Sequence, residues 1–404
     1  MSDYSADVLI VGGGLVGGPL AVALADAGLT VVVADAEDPA TAVAPAFDGR
    51  ASALGLAQQR VLAAIGLWPA VEPLAAEIRE VRVADGVSPL FLHYDHRLLG
   101  DQPLGWIVEN RALRQAVLAR MRSHPLIRLA APSRPRRLER GAGAVQAILS
   151  TGETVSAALA VAADGRASPT RAGAGIGITG WTYRQSAIVC TVGHERPHGN
   201  VAQEHFLPSG PFAILPLPGR RSSVVWTERQ EVVPAIMAED DEAFLAELGD
   251  RFGGFLGAIT LEGPRFAYPL ALQFAHAYRG HRLVLVGDAA HGMHPVAGQG
   301  MNMGLRDVAA LAEVLVEAKR LGLDLGAADV LERYARWRRF DNILMLAVTD
   351  GLVRLFSNDL PPLRLARDLG LAAVNRLDPV KRFFMRHAMG LVGDLPRLMR
   401  GESL

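Results

Sequence analysis

Cysteine is almost missing from this chain. Cys190 is the only one in 404 residues, so no disulfide can close within it, as suits a reducing compartment. Charge imbalance is missing too: 41 Lys and Arg face 42 Asp and Glu, a formal net charge of -1. That balance excludes the basic excess with which nucleic-acid proteins meet phosphate. There is no internal repeat and no low-complexity linker; the Pro/Arg-rich stretch 131–140 is the nearest thing to a break. A membrane span is absent as well. Residues 8–25 form an uncharged run of 18, but five of them are Gly12, Gly13, Gly14, Gly17 and Gly18, and no basic region leads into it. A buried strand, a glycine turn and a buried helix account for that run better than a bilayer does. No Ser/His/Asp or Cys/His arrangement is identifiable. His291 and His294 lack the further ligands that a metal would need, and they read as loop-shaping residues.

What is present is apolar bulk and two glycine-rich turns. Half the residues are hydrophobic, and the length suffices for two intimately packed domains. Stretches 8–11 and 30–34 read as buried strands flanking a helix over about 16–27, with Gly28 at its left-handed C-cap: a βαβ opening. Between them stands Gly12-x-Gly14-x-x-Gly17. The first glycine permits the tight turn, the second lets a pyrophosphate approach, and the third lets the helix pack on the sheet. Leu15 and Val16 lie in the same turn, whose N–H groups can face phosphate. Asp35 lies 18 residues after Gly17, where a carboxylate can accept from a ribose. This motif predicts a dinucleotide without choosing between FAD and NAD.

The second turn makes the choice. An apolar strand over 282–286 ends at Gly287 and Asp288, and Gly298-Gln299-Gly300-Met301-Asn302 then opens a helix over about 301–321. Asp288 stands past the C-terminal end of a strand, where open α/β sheets bind ligands. A helix N-terminus stabilises the negative charge of reduced flavin, and NAD alone needs no such second loop. In the middle of the chain, 188–192, 212–216 and 223–227 are short strand-like runs punctuated by Pro and Gly, which predict an antiparallel sheet.

The stretch from Gly287 to Asp307 resembles the signature of the UbiH/UbiF/VisC-like ubiquinone-biosynthesis hydroxylases, within the single-component FAD-dependent aromatic hydroxylases. The likeness runs over nearly the whole chain. It includes Asp48-Gly-Arg50, Asn110-Arg111-x-Leu-Arg114, Ala163-Asp164-Gly165 and the tail around Ala388-Met389-Gly390. The resemblance implies an α/β fold: a Rossmann-like FAD-binding domain, an inserted antiparallel β-sheet substrate domain and C-terminal helices. Its expected divisions are FAD-binding parts at 1–75, 106–180 and 276–328, substrate parts at 76–105 and 181–275, and a helical region at 329–404.

Carried over by position, the resemblance implies that Asp288 binds the ribityl chain and that Gly298, Gln299, Gly300, Met301 and Asn302 line the pyrimidine end of the flavin. Arg50 and Arg111 would run along phosphates and ribityl. Asp164 would fix Arg50 and help NAD(P)H approach, and Pro295 would sit above the ring where O2 reacts. The implied reaction is hydroxylation of an apolar, polyprenylated phenol, with NAD(P)H as cosubstrate, through a flavin C4a-hydroperoxide. A reductase or halogenase of the same fold is the alternative, as is a low-turnover scaffold in a quinone-biosynthesis complex. Phe384, Ala388, Leu391, Leu395 and Leu398 fall at helical spacing among Lys381, Arg382, Arg386, Arg397 and Arg400. Such a segment rests on an anionic membrane, or it covers the protein's own core or a partner, as in a homo-oligomer. The expected location is cytoplasmic, with peripheral contact at the inner membrane face as the extension.

Overall fold

A computed structural model of the chain describes residues 3–86, 91–357 and 361–404. Strand Asp3–Val11 pairs in parallel with Thr154–Ala162 on one side and Val31–Ala34 on the other. Val8, Leu9 and Ile10 are wholly buried: both faces of the strand are covered, so its apolar run is continuous rather than alternating. The sheet continues to Ile127–Ala130 beyond Val31–Ala34, and to Leu283–Leu285 beyond Thr154–Ala162. Helix Gly17–Asp26 makes the first crossover, and Gly28, at φ +89°, turns the chain back to the sheet. Helix Gln299–Arg320 packs on Gly17–Asp26, its apolar face joining the largest core.

The segment 131–140 is no break. Residues 135–140 form a strand that pairs with Val145–Leu149 and so joins the first sheet.

A second eight-stranded sheet is built around Ile178–His194, which pairs antiparallel with Arg221–Arg229 and Ile259–Ala275. Its strands are longer than the apolar runs in the sequence suggest, because their polar ends pair as well. One pairing departs from the antiparallel expectation. Val201–Leu207 runs parallel to Glu80–Asp85, a pairing that joins two distant segments across one edge. One face of this sheet carries Ile188, Phe212 and Trp226 and is closed by helix Asp241–Phe252. The other face turns toward the three-stranded sheet of Ala51–Gly55, Gly105–Glu109 and Ala75–Ile78, and toward helix Ala328–Phe356.

Among the described residues, no helix is long and apolar enough to cross a membrane. The tail divides. Leu398 and Met399 are buried in the main core, with Leu391 and Leu395 packed against it, so this part covers the protein itself. Helix Asp378–Ala388 keeps Phe383 (56 % exposed) and Phe384 (45 %) in solvent. The single stripe read from the sequence is thus interrupted, with Gly390 (φ +74°) and Gly393 (φ +90°) as turning points.

Candidate functional site

The glycines of the first turn do different jobs. Gly12 has φ +99°, and a Cβ there would lie 2.3 Å from the Ala163 carbonyl oxygen; at Gly17 it would lie 1.9 Å from the Gly12 oxygen. Both serve the fold. Gly14 is neither strained nor crowded: a Cβ there would meet nothing within 4 Å. Gly300, in the first turn of helix Gln299–Arg320, is the same. Space in front of two unstrained glycines, one in each loop, is what a group lying against the backbone requires. Neither helix has a side-chain cap at its N-terminus, so both offer backbone N–H groups to such a ligand.

Val16 brings the two loops together. Its methyls would lie 3.1 Å from a Cβ at Gly287 and 2.7 Å from one at Gly304. Leu15 packs beside it against the main core. Next to the first loop opens a cavity of about 680 Å³, lined by Gly12, Gly13, Gly14, Asp35, Arg114 and Asp164 among others, a volume in the usual range for ligand pockets. Asp35 accepts from the Gly13 N–H at 2.7 Å and from the Glu37 N–H at 2.9 Å. A carboxylate has about four acceptor positions, so ribose hydroxyls can still be received. Gly287, Asp288 and the 298–302 turn lie outside the lining of this cavity.

Arg50 is held by Asp48, through Nε at 2.9 Å and Nη2 at 3.0 Å, and its guanidinium lies 4.7 Å from the Tyr268 ring centroid. Asp48 also accepts from Arg114 at 2.8 Å and Asn110 at 3.2 Å. Burial alone would raise the Asp48 carboxyl, but the hydrogen bonds and charge of Arg50, with the charge of Arg114, hold it well below the usual carboxylate range. The expected pairing of Asp164 with Arg50 is therefore corrected. Asp164 accepts from the Ser168 hydroxyl and from the Thr170 N–H at 3.0 Å, and pins the turn that Gly165 makes at φ +80°. Asp48, two residues from Arg50, is the nearer partner. Arg111 is exposed and donates to the Val43 carbonyl at 2.8 Å.

In the second loop, Asp288 is exposed, beside a Gly287 with φ +57°. The turn is anchored from behind by Asp307, which accepts from the Gly287 N–H at 3.0 Å, Arg338 Nε at 2.8 Å and Asn342 Nδ2 at 3.3 Å. His291 Nε2 lies 2.6 Å from the same carboxylate. Burial alone would raise the Asp307 carboxyl; contact with His291 and the Arg338 charge outweigh it and bring it down to about 2. His294 is buried, its Nδ1 accepting from the Val296 N–H at 3.2 Å, and burial pushes it down to about 4. It is neutral and shapes the turn that presents the exposed Pro295.

The Asn302 side chain is bonded within the protein. Its amide accepts from Gly55 N–H at 3.1 Å and donates to Ala53 at 2.9 Å and Gly298 at 3.2 Å. These bonds lock the second loop to strand Ala51–Gly55. Gln299 is buried there, and Met301 packs on the main core. Sequence reading passed over Asp48, Arg114, Asp307 and Arg338 as site residues. The first three lie inside motifs it quoted; only the fold shows them sharing charges.

The comparisons with known proteins agree with this geometry. The model of the FAD binding domain family matches residues 5–339. Ubiquinone hydroxylase UbiL of Rhodospirillum rubrum is 59% identical over 406 residues, covering 100% of this chain and 94% of that protein. The 3-demethoxyubiquinol 3-hydroxylase of Escherichia coli K12 is 36% identical over 392 residues, covering 97% and 100%. The crystal structure of p-nitrophenol 4-monooxygenase PnpA from Pseudomonas putida DLL-E4 superposes with a TM-score of 0.82 at 21% identity, over 97% of this chain and 99% of that one. The chain belongs to the FAD-dependent ubiquinone-biosynthesis hydroxylases, within the FAD binding domain family.

Proposed function

We propose that this chain hydroxylates the aromatic ring of an apolar, polyprenylated phenol in ubiquinone biosynthesis, using NAD(P)H as reductant and O2 as oxidant. The observation that carries the reading is the pair of unstrained, uncrowded glycines, Gly14 and Gly300, in two loops that Val16 holds together. When bound, FAD would supply the redox chemistry, hydride acceptance from the nicotinamide and dioxygen activation.

The protein's part is to bind, orient and exclude water. Gly12, Gly14 and Gly17, with Leu15 and Val16, receive the pyrophosphate, and Asp35 the ribose. Gly287 and Asp288 meet the ribityl chain, and Gly298, Gln299, Gly300 and Met301 the pyrimidine end, with Asn302 holding them in place. Arg50 and Arg111 supply positive charge along the phosphates. Asp164 holds the loop past which the nicotinamide approaches, and Pro295 faces the ring. The enzyme works in the cytoplasm and meets the inner membrane face where its apolar substrate resides, alone or in a quinone-biosynthesis complex. The domain divisions expected from the sequence belong to the same proposal.

The test is product chemistry on the purified yellow protein. A prenylated phenol is expected to stimulate NAD(P)H oxidation, and the product to carry one oxygen from labelled dioxygen. Label arriving from water instead, or NAD(P)H oxidation indifferent to every phenol supplied, overturns the proposal.

A further inference from the structure

Glu204 lies on strand Val201–Leu207 of the large sheet, partly buried, and among the described residues no hydrogen bond or neighbouring charge acts on its carboxyl. Residues two apart on a strand share a face, so Glu204 points the same way as Ala202 and Phe206. Both neighbours report what lies opposite. Ala202 belongs to an apolar cluster against which Ala53 of strand Ala51–Gly55 packs, and a Cβ at Gly298 would lie 2.9 Å from the Ala53 Cβ. Phe206 packs with Val296 and stacks on Phe356, with ring centroids 4.2 Å apart. Glu204 thus lies between two neighbours whose apolar clusters include Ala53, beside Gly298, and Val296, on the face of the sheet that turns toward the 295–298 turn.

Its cross-strand neighbours are Ala213 and Val83, both apolar, so neither offers the carboxyl a hydrogen bond. Charged and titratable groups on the elements packed around it are engaged elsewhere or are neutral. Arg367 pairs with Asp85 at 2.7 Å, Asp350 accepts from Tyr183 at 2.8 Å, and His294 and Tyr94 carry no charge near neutral pH. Burial alone, with no neighbouring charge, pushes the Glu204 carboxyl up to about 7. An unpaired carboxylate costs stability in such a place unless a ligand pairs with it.

We propose that Glu204 recognises the ring hydroxyl of the phenolic substrate, its carboxylate accepting a hydrogen bond from that hydroxyl while the ring lies against Ala213 and Val83. This assignment rests on the hydroxylase reading. It makes Glu204 a specificity-determining residue, selecting a free hydroxyl over an O-alkylated ring oxygen.

The experiment uses the FAD-loaded enzyme, an ortho-prenylated phenol and the methyl ether of the same compound, with binding followed by the flavin absorbance. The wild type is expected to prefer the phenol about 10- to 100-fold, the range of a hydrogen bond to a charged group. Glu204→Leu loses that preference, whereas Glu204→Gln, a neutral acceptor, keeps only a smaller part of it, the level to which the wild type falls once its carboxyl is protonated. The wild-type preference weakens as pH falls through about 7 and the carboxyl protonates; that of Glu204→Gln stays flat. Flavin content checks that the variants fold, and the pH profiles decide the matter if Glu204→Leu does not. An unchanged preference in Glu204→Leu, equal weakening of both ligands, or a pH dependence that survives in Glu204→Gln overturns the assignment. A preference that vanishes in Glu204→Leu, in an enzyme that makes no hydroxylated product, sinks the hydroxylase reading and leaves the binding role standing.

Discussion

Removing the carboxylate of Asp307 tests how the second loop is held. Asp307 and Arg338 are both wholly buried, and the carboxylate also receives the Gly287 N–H and faces His291. In Asp307→Leu the guanidinium keeps Asp341 at 3.0 Å and Asn342 at 2.6 Å, but loses its only wholly buried counter-charge. Breaking a buried pair from one side costs about 3–5 kcal/mol, and the remaining Asp341 places this case near the lower figure. An orphaned Gly287 N–H adds roughly 1 kcal/mol. The expected loss is therefore about 4 kcal/mol, a large share of a domain's 5–15 kcal/mol.

The assay is urea unfolding of the FAD-free protein followed by circular dichroism, with FAD affinity measured separately. Asp307→Leu/Arg338→Leu should recover at least half the loss, because it removes the stranded charge together with its partner. The sign with pH is fixed too. The Asp307 carboxyl is lowered from 3.8 to about 2, so its contribution is fully present above about pH 4 and fades as the pH falls toward 2. A loss under about 1 kcal/mol in Asp307→Leu, or a double variant no more stable than the single one, would refute the reasoning.

Two further predictions follow from the glycines and the tail. Gly14→Ala should leave the FAD-free protein as stable as the wild type while weakening FAD binding at least tenfold; Gly12→Ala should destabilise the FAD-free fold, by about 2 kcal/mol or more, because φ is +99° and the Ala163 oxygen is in the way. Equal thermal stability of the two FAD-free variants would remove the distinction. Phe383→Ser/Phe384→Ser should lower flotation with anionic liposomes without lowering stability, since both rings are in solvent; unchanged flotation would take helix Asp378–Ala388 out of any membrane contact.

Local pattern was legible; shared charge was not. The βαβ opening could be read because its signals are contiguous: an apolar strand, three spaced glycines, a helix and Gly28. The antiparallel strands around residues 188, 212 and 223 were readable for the same reason. The parallel pairing of Val201–Leu207 with Glu80–Asp85 was hidden, because nothing in either strand names a partner more than a hundred residues away. Arg50 and Asp164 were both picked out, yet their pairing was wrong: resemblance transfers positions more safely than contacts. The tail was legible in part: covering the protein's own core was one of its two readings, and its second half does so. Helical spacing from Phe384 to Leu398 suggested one face, but turns at Gly390 and Gly393 send its second half into the core.

The charges around the loops sort into two kinds, and the difference bears on the proposed site. Behind the second loop, Asp307 answers Arg338 within a wholly buried network, which fixes the backbone and offers little net charge forward. Beside the first, the single carboxylate of Asp48 stands between two guanidiniums, Arg50 and Arg114. Within that trio one negative charge faces two positive ones, while Asp288 also acts on Arg50 and Asp35 and Asp164 line the cavity beside Arg114. The buried half of that trio keeps its geometry, while the Arg50 side chain is 49% exposed. On the proposed reading this is why Arg50 can serve a phosphate although it already has a partner. Asp48 fixes where the guanidinium stands from one side and leaves its other side half exposed, where an incoming diphosphate would meet it.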